Sequence, residues 1–377
     1  MAGSLILDHV DKFYGPKSAG IHAVKDFSMT VEDGEIVALL GSSGCGKTTM
    51  LRMIAGFETV TEGEMRLNER RIQDVAPAKR NVAMAFEGYS LYPPLTVRDN
   101  IAFALKGARM QRSEIDKRVD EMAELLEIGP ILDRYPISLS GGQQQRASLA
   151  RALTRKADLY LLDEPMSQLE PQLRAVLRGR IKNFLIQHGM TAMFVTHDQT
   201  EANALADRIA VMEDGVLEQV ASPAELKDRP ANLFVASFMG EPPMNVYEAA
   251  VEQNGAGLRV VVRGPDGGDA IAVNIPAQST DVQGALSIGQ KLHLGVRPQS
   301  IATGQGKDRA HVLSNQWLGD QTHLVIDAGG HQMVIVSYTP VKEKIGETIP
   351  FLIAPEKVHL FNFDNGDAIA HGIELAK

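Results

Sequence analysis

The residues best suited to chemistry lie between positions 41 and 49. Gly41-Ser42-Ser43-Gly44-Cys45-Gly46-Lys47-Thr48 has the spacing G-x-x-x-x-G-K-[ST], and Thr49 follows it. Glycines spaced in this way let the backbone curl until successive N–H groups converge on phosphate oxygens, and a helix starting here adds its dipole. Lys47 can reach β- and γ-phosphates, and the Thr48 hydroxyl can hold Mg²⁺. The pattern assigns Ser42, Ser43, Gly44, Cys45, Gly46, Lys47, Thr48 and Thr49 to the phosphates of a nucleotide. Cys45 has no base indicated near it, so it reads as a packed or partly exposed thiol whose modification would obstruct that site.

A second chemical feature lies about 115 residues downstream, where Leu159-Tyr160-Leu161-Leu162 ends in Asp163-Glu164. A buried strand here delivers two adjacent carboxylates to its C-terminal end. Asp163 is suited to bind Mg²⁺ through water, and Glu164 to polarise the water that attacks a γ-phosphate.

Both features need a sheet behind them. Phe27, Met29 and Val31 alternate, Asp33-Gly34 supplies a turn, and Ile36–Leu40 is a short apolar run of the kind that forms a strand buried on both faces. Residues 47–56 change to helical spacing, with Met50, Leu51, Ile54 and Ala55 on one side. Ser113-x-x-Asp116 is a candidate capping box for a helix whose stripe is Ile115, Val119, Met122, Leu125 and Leu126. Strands return at Leu159–Leu162 and Met193–Thr196, separated by a helix from about Pro171 to Gln187. Strand–helix–strand order at this spacing predicts a parallel sheet covered by helices. After about Phe238 the texture changes to short β-like pieces (Leu258–Val262, Lys291–Val296, His323–Ile326, Met333–Val336) broken by Gly264–Gly268 and Gly329-Gly330, which predicts an all-β module or small barrel. Six of the ten histidines lie in this part, scattered rather than set at ligand spacings, so packing or surface roles are expected of them.

Composition limits the function classes. With 44% hydrophobic and 23% charged residues, 377 residues can fill the cores of two or three domains. The net charge of −9 is spread over both parts, so neither has the basic excess of a nucleic-acid binder. A lone cysteine excludes an internal disulfide framework and suits a reducing compartment. The opening MAGSLILDHVDKFYG meets charge too soon for a signal peptide, and no uncharged apolar run approaches the ~18 residues of a membrane span. A cytoplasmic protein that reaches a membrane only through a partner is the expectation.

Between the two phosphate-site motifs lies Leu139-Ser140-Gly141-Gly142-Gln143, followed by Gln145-Arg146 and the helical Ala147–Leu153. Ser140 can cap a helix while Gly141 and Gly142 offer backbone N–H groups to an anion. This phrase resembles the signature of ATP-binding-cassette (ABC) ATPases. The resemblance implies an α/β P-loop NTPase core with a helical subdomain at about 88–155, and a dimer sandwiching two ATPs. In such a dimer Ser140, Gly141, Gly142 and Gln143 face the γ-phosphate held by the other subunit. By the same resemblance Tyr14, in Phe13-Tyr14-Gly15, stacks on adenine. His197, in Val195-Thr196-His197-Asp198, is the switch histidine at the γ-phosphate, and Ser167-Gln168-Leu169-Glu170 is the D-loop.

Two positions depart from the family pattern. Where the family usually places Gln, within Ala85-Phe86-Glu87-Gly88-Tyr89-Ser90-Leu91-Tyr92-Pro93, this chain has Glu87. A carboxylate can still ligate Mg²⁺ but cannot donate an amide hydrogen bond, and it adds a third acid able to raise the pKa of Asp163 or Glu164. Glu170 stands where Asp is usual, and its longer side chain can loosen or re-aim a contact across the dimer.

Phe238-Met239-Gly240-Glu241-Pro242-Pro243-Met244-Asn245, Leu294-Gly295-Val296-Arg297-Pro298 and Leu318-Gly319-Asp320-Gln321-Thr322 resemble landmarks of the subfamily that energises carbohydrate and glycerol-phosphate import. That implies a nucleotide-binding domain at 1–238 and an all-β, OB-like (TOBE) regulatory domain at 239–377. It also implies a peripheral position at the cytoplasmic face of the bacterial inner membrane. The implied ligands are ATP and Mg²⁺. The implied partners are a second ATPase subunit, in a homo- or heterodimer, two membrane permease subunits and, through the complex, an extracytoplasmic solute-binding protein. No nucleic acid is expected. The solute stays open among sugars, polyols and glycerol derivatives, with importers of polyamines, iron or sulfate also carrying β-rich extensions. Glu87 and Glu170 leave a second reading open, a non-equivalent or regulatory ATPase paired with a different one.

Overall fold

The computed structural model describes residues 4–106, 110–255, 257–275 and 286–375. Two compact units divide the chain, Met1–Pro223 and Ala224–Lys377. The first three residues of the N-terminal segment read above, and positions 107–109 of the helical subdomain, lie outside the described residues.

The first unit contains two sheets. β1 (Leu5–Tyr14), β2 (Ile21–Val31), β4 (Glu62–Leu67) and β5 (Arg70–Arg71) form an antiparallel sheet in the order β2-β1-β4-β5. The second sheet is built from β3 (Ile36–Gly41), β6 (Val82–Ala85), β7 (Leu159–Asp163), β8 (Ala192–Thr196), β9 (Arg208–Glu213) and β10 (Val216–Ala221). Its order is β10-β9-β3-β8-β7-β6, parallel except for the β9–β10 hairpin. Every residue of β3, β7 and β8 is buried, which is why these strands read as unbroken apolar runs rather than alternating ones. Their core is shared with α1 (Lys47–Ala55), through Val37, Leu39, Met50, Leu51, Ile54, Leu161 and Val195.

Between β6 and β7 the chain runs through α2 (Val97–Lys106), α3 (Arg112–Leu125) and α4 (Gly141–Leu153). Of the expected stripe, Ile115, Val119, Met122 and Leu126 are buried, while Leu125 is half-buried. The Ser113–Asp116 capping box is not formed. The helix starts at Arg112 with Gln111 at the cap position, so Ser113 already lies inside the first turn. α5 (Pro171–Gln187) connects β7 to β8, and α6 (Gln199–Leu205) follows β8. No helix among the described residues is long and apolar enough to cross a membrane.

The second unit includes most of α7 (Pro223–Asp228) and all of α8 (Leu233–Phe238), which precede its strands. These are β11 (Asn245–Asn254), β12 (Gly257–Arg263), β13 (Asp269–Ile275), β14 (Lys291–Val296), β15 (Ile301–Trp317), β16 (Thr322–Ala328), β17 (His331–Ser337), β18 (Thr348–Ile353), β19 (Val358–Asn362) and β20 (Ala368–His371). They form two antiparallel sheets, β13-β12-β11-β14-β19-β20 and β17-β16-β15-β18. One core draws Val260, Leu292, Leu294 and Leu360 from the first and Val312, Leu324, Ile326 and Phe351 from the second. The all-β expectation for the C-terminal part is met. The unit begins before its strands because helix residues are tied to it: Leu233 N–H donates to Gly366 O (2.8 Å), and Arg297 donates to Ala236 O and Met239 O.

Candidate functional site

Four parallel strands bring the chemistry to one edge. The carboxyl ends of β3, β8, β7 and β6 carry the phosphate loop, His197, Asp163-Glu164 and Glu87 respectively. Ligands of open α/β sheets bind at this edge.

The loop's shape follows from its glycines. Gly46 holds φ of +106° and Gly44 of +83°, and α1 starts directly after Gly46. A Cβ at Gly41 would lie 2.1 Å from Met212 O, and one at Gly46 would lie 2.4 Å from Ala23 O. Ser42, Ser43, Gly44 and Thr48 are exposed, whereas Lys47 and Cys45 are buried. The Lys47 ammonium donates to Gly41 O (2.9 Å) and Ser42 O (2.7 Å), so its stem lies along the loop. Cys45 Sγ faces inward, 3.7 Å from Lys47 Nζ, which is the packed reading of that thiol. Behind the loop, the Asp214-Gly215 turn of the β9–β10 hairpin donates Gly215 N–H to Cys45 O (3.0 Å). This support was not read from the sequence, although Asp-Gly is a hairpin signal.

Thr48 Oγ1 lies 3.4 Å from Asp163 Oδ1. Asp163 is 5% exposed, and its carboxyl is pushed up to about 6, first by burial and then by the charges of Glu87 and Glu164. Thr48 and Arg52 act in the opposite direction. The third acid at position 87 therefore acts on Asp163. The Thr48 hydroxyl and Asp163 carboxylate, with the charges of Glu87 and Glu164 acting on Asp163, suit a hard divalent cation, which takes oxygen donors and offsets that repulsion.

Glu164 has a left-handed backbone, φ +47°, outside the comfortable range of a glutamate. Its N–H donates to Val195 O (3.0 Å) and its Oε1 lies 3.0 Å from His197 Nδ1. A carboxylate only accepts, so Nδ1 is the donor in this contact, on an exposed ring. The loop after His197 is held by a buried network. Thr196 Oγ1 donates to Glu201 (2.9 Å) and accepts from Asp198 N–H (3.0 Å), and Asp198 accepts from Arg174 (3.2 Å). Burial pushes the Glu201 carboxyl up to about 7. Arg174 also donates to Ser167 O and Leu169 O, joining this loop to residues 167–170.

Ser140 caps α4 as expected: its Oγ accepts from Gln143 N–H (3.4 Å), and Gln143 Oε1 accepts from Ser140 N–H (3.1 Å). Among the described residues, Ser140–Gln143 form no hydrogen bond with the phosphate loop; Gly141 lies beside Tyr89 and Gln168, and Gly142 beside Gln168 and Leu169. Tyr14 is partly exposed at the end of β1, its hydroxyl 3.5 Å from Thr49 Oγ1 and its ring 4.7 Å from Lys12 Nζ. An aromatic face beside the loop suits a base stacked next to bound phosphates. Gln145 was singled out beside the signature phrase but given no role, and Arg174 and Glu201 were missed; each acts on backbone or side chains remote in sequence.

Comparison with known proteins agrees with this geometry. Residues 24–167 match the ABC transporter family model. The chain is similar to the trehalose/maltose import ATP-binding protein MalK of Thermococcus litoralis, at 40% identity over 98% of this chain and 100% of that one. It is also similar to the sn-glycerol-3-phosphate import ATP-binding protein UgpC 3 of Rhizobium johnstonii (40%, 97% and 99%) and the alpha-glucoside transport ATP-binding protein AglK of Rhizobium meliloti (38%, 95% and 97%). Among solved structures, the dimeric post-hydrolysis state of the ATP-binding cassette MJ0796 bound to ADP and Pi matches with a TM-score of 0.54. Its identity is 29%, covering 58% of this chain and 98% of that one.

Proposed function

The chain belongs to the ABC transporter family of ATP-binding subunits, and from that premise we propose that it hydrolyses ATP to drive uptake of a sugar, polyol or glycerol derivative. The observation that carries the hydrolytic part is the Glu164–His197 contact of 3.0 Å beside the Thr48–Asp163 pair. The loop N–H groups and Lys47 bind the phosphates, Thr48, Asp163 and Glu87 hold Mg²⁺, and Tyr14 stacks on the base. Mg²⁺ held there would supply positive charge to offset that of the phosphates. Glu164 accepts a proton from the attacking water. The Nδ1–H of His197 fixes Glu164 Oε1 in place.

Residues 1–238 do this work in a pair of ATPase subunits, with the Ser140–Gln143 motif of each subunit closing on the other's nucleotide. The dimeric state of the similar cassette supports that pairing. Two membrane permease subunits at the cytoplasmic face receive the motion through the helical subdomain, an extracytoplasmic solute-binding protein delivers the solute, and residues 239–377 regulate. The import names of the full-length relatives support this arrangement. Glu87 and Glu170 favour a second reading, pairing with a different ATPase chain, and counting distinct ATPase chains in the purified transporter separates the two. The central test is Glu164→Gln. ATP binding should persist while turnover falls by about 10²–10⁴-fold, the range of a lost general base. Undiminished hydrolysis would overturn the role of Glu164.

A further inference from the structure

Gln145 lies in the second turn of α4 and is 4% exposed. All of its hydrogen-bonding side-chain atoms are used, and they point in one direction. Nε2 donates to Glu164 O (2.8 Å) and to Ser167 Oγ (3.0 Å), while Oε1 accepts from Gln168 N–H (3.0 Å). A carbonyl can only accept and a backbone N–H can only donate, so the partners themselves fix which way the amide faces. One turn earlier on the same helix face, Gly142 packs so tightly that a Cβ there would lie 2.9 Å from Gln168 O. Two successive contacts therefore bind the helix that begins with the signature motif to the turn that begins with Glu164.

That turn needs holding. Glu164 is a non-glycine residue at φ +47°, a conformation that persists only where its surroundings impose it. Its N–H is secured by Val195 O on β8, and its carbonyl accepts from Gln145 and, at 3.3 Å, from Ser167 Oγ, which Gln145 also contacts. Without Gln145, the carbonyl end of Glu164 loses its shortest donor and the Ser167 hydroxyl loses its orientation.

We propose that Gln145 is a positioning residue that fixes the backbone of Glu164 to the signature helix, so that the aim of the hydrolytic carboxylate follows the position of that helix. The inference rests on Glu164 acting as the base. It differs from a packing role because it places the effect on the chemical step and routes it through one residue.

The test uses the full-length chain with Mg-ATP and compares Gln145→Ala, the near-isosteric Gln145→Glu, Glu164→Gln and the two double variants. Gln145→Glu, once ionised at alkaline pH where kcat is read, keeps an acceptor for Gln168 N–H but cannot donate to Glu164 O. Both single variants should lose about 10²-fold in kcat, the scale of a misplaced reacting group, with KM for ATP unchanged. In the Glu164→Gln background neither should lower the residual rate further, because the residue it positions is already disabled. A kcat retained in Gln145→Glu overturns the proposal, as does a loss that appears in KM instead. Multiplied losses in the double variants overturn it too, since they place Gln145 outside Glu164's action. If Glu164→Gln itself turns over at the parent rate, the premise fails and the proposal with it.

Discussion

Replacing Asp163 by Asn should stabilise the protein while removing its turnover. Asp163 is 5% exposed, and its carboxyl is raised from 3.8 to about 6 by burial, Glu87 and Glu164, in that order. An acid whose pKa is raised on folding holds its proton to higher pH in the native state than in the unfolded chain. Below about pH 4 both states are protonated and nothing is lost. Between pH 4 and 6 the unfolded chain ionises first, so stability falls, and above pH 6 the loss is complete. Two units of pKa at 1.36 kcal/mol each make that loss about 3 kcal/mol at pH 7.5. Asn keeps the shape of the side chain and carries no charge. For a unit of this size, Met1–Pro223, a gain of that order raises Tm by roughly 6–12 °C.

The assay is calorimetric unfolding of parent and Asp163→Asn in EDTA without nucleotide, at pH 7.5 and at pH 4. The variant should be the more stable at pH 7.5, and the difference should vanish at pH 4. A gain of the same size at both pH values would show that charge has nothing to do with it. A loss at pH 7.5 would refute the reasoning outright. The opposite effects on stability and turnover are what a site under electrostatic strain requires.

Other positions extend the same logic. Glu87→Gln removes the second-largest cause of the Asp163 shift, so Asp163 should ionise at lower pH and the acid limb of the ATPase pH–rate profile should move to lower pH; an unmoved limb contradicts the coupling. Arg297 is 4% exposed and donates to Ala236 O (2.8 Å), Lys227 O (3.1 Å) and Met239 O, so Arg297→Met leaves three acceptors unpaired. The second unit should lose about 2–4 kcal/mol in denaturant melts. His359 is held down to about 3 by burial, His371 and Arg297, so the unfolded chain takes up its proton near pH 6.5 while the native state refuses it. Stability of the second unit should therefore fall by about 2 kcal/mol between pH 7 and 5, and His359→Gln should flatten that decline.

Much of the phosphate end was legible because its chemistry is local. The spacing of Gly41, Gly46 and Lys47, the apolar run before them and the helical steps after them all lie within one stretch of chain. The α5 limits, Pro171 and Gln187, were readable for a similar reason: Pro suits a first turn, and the strands on either side are unbroken apolar runs. Ser113 misled because Ser-x-x-Asp marks a helix start only when the helix has not already begun, and Arg112 is already helical. The texture change near Phe238 marked where strands begin, but not that Arg297 would draw α8 into the same unit. That bond joins residues 61 apart, beyond the reach of any periodicity.

The two ends of the site are therefore built by different means. Phosphate positioning depends on backbone shape: left-handed glycines, carbonyls within 2.4 Å of where a Cβ would stand, and a helix that starts at Lys47. The proposed hydrolytic end depends on groups reaching across the fold, with the Gln145 amide and the Val195 carbonyl on the backbone of Glu164 and His197 on its carboxylate. A loop shaped by glycines has few alternatives and keeps its form whatever the neighbouring helices do. A glutamate whose backbone carbonyl is held by a glutamine on the signature helix moves when that helix moves. Binding can thus stay constant while turnover is set by the geometry of distant elements, which is the separation a transport motor needs between holding ATP and committing it. The three acids at positions 87, 163 and 164 add to this arrangement: their repulsion favours a bound cation, so the charge that strains the fold also favours binding of the substrate complex.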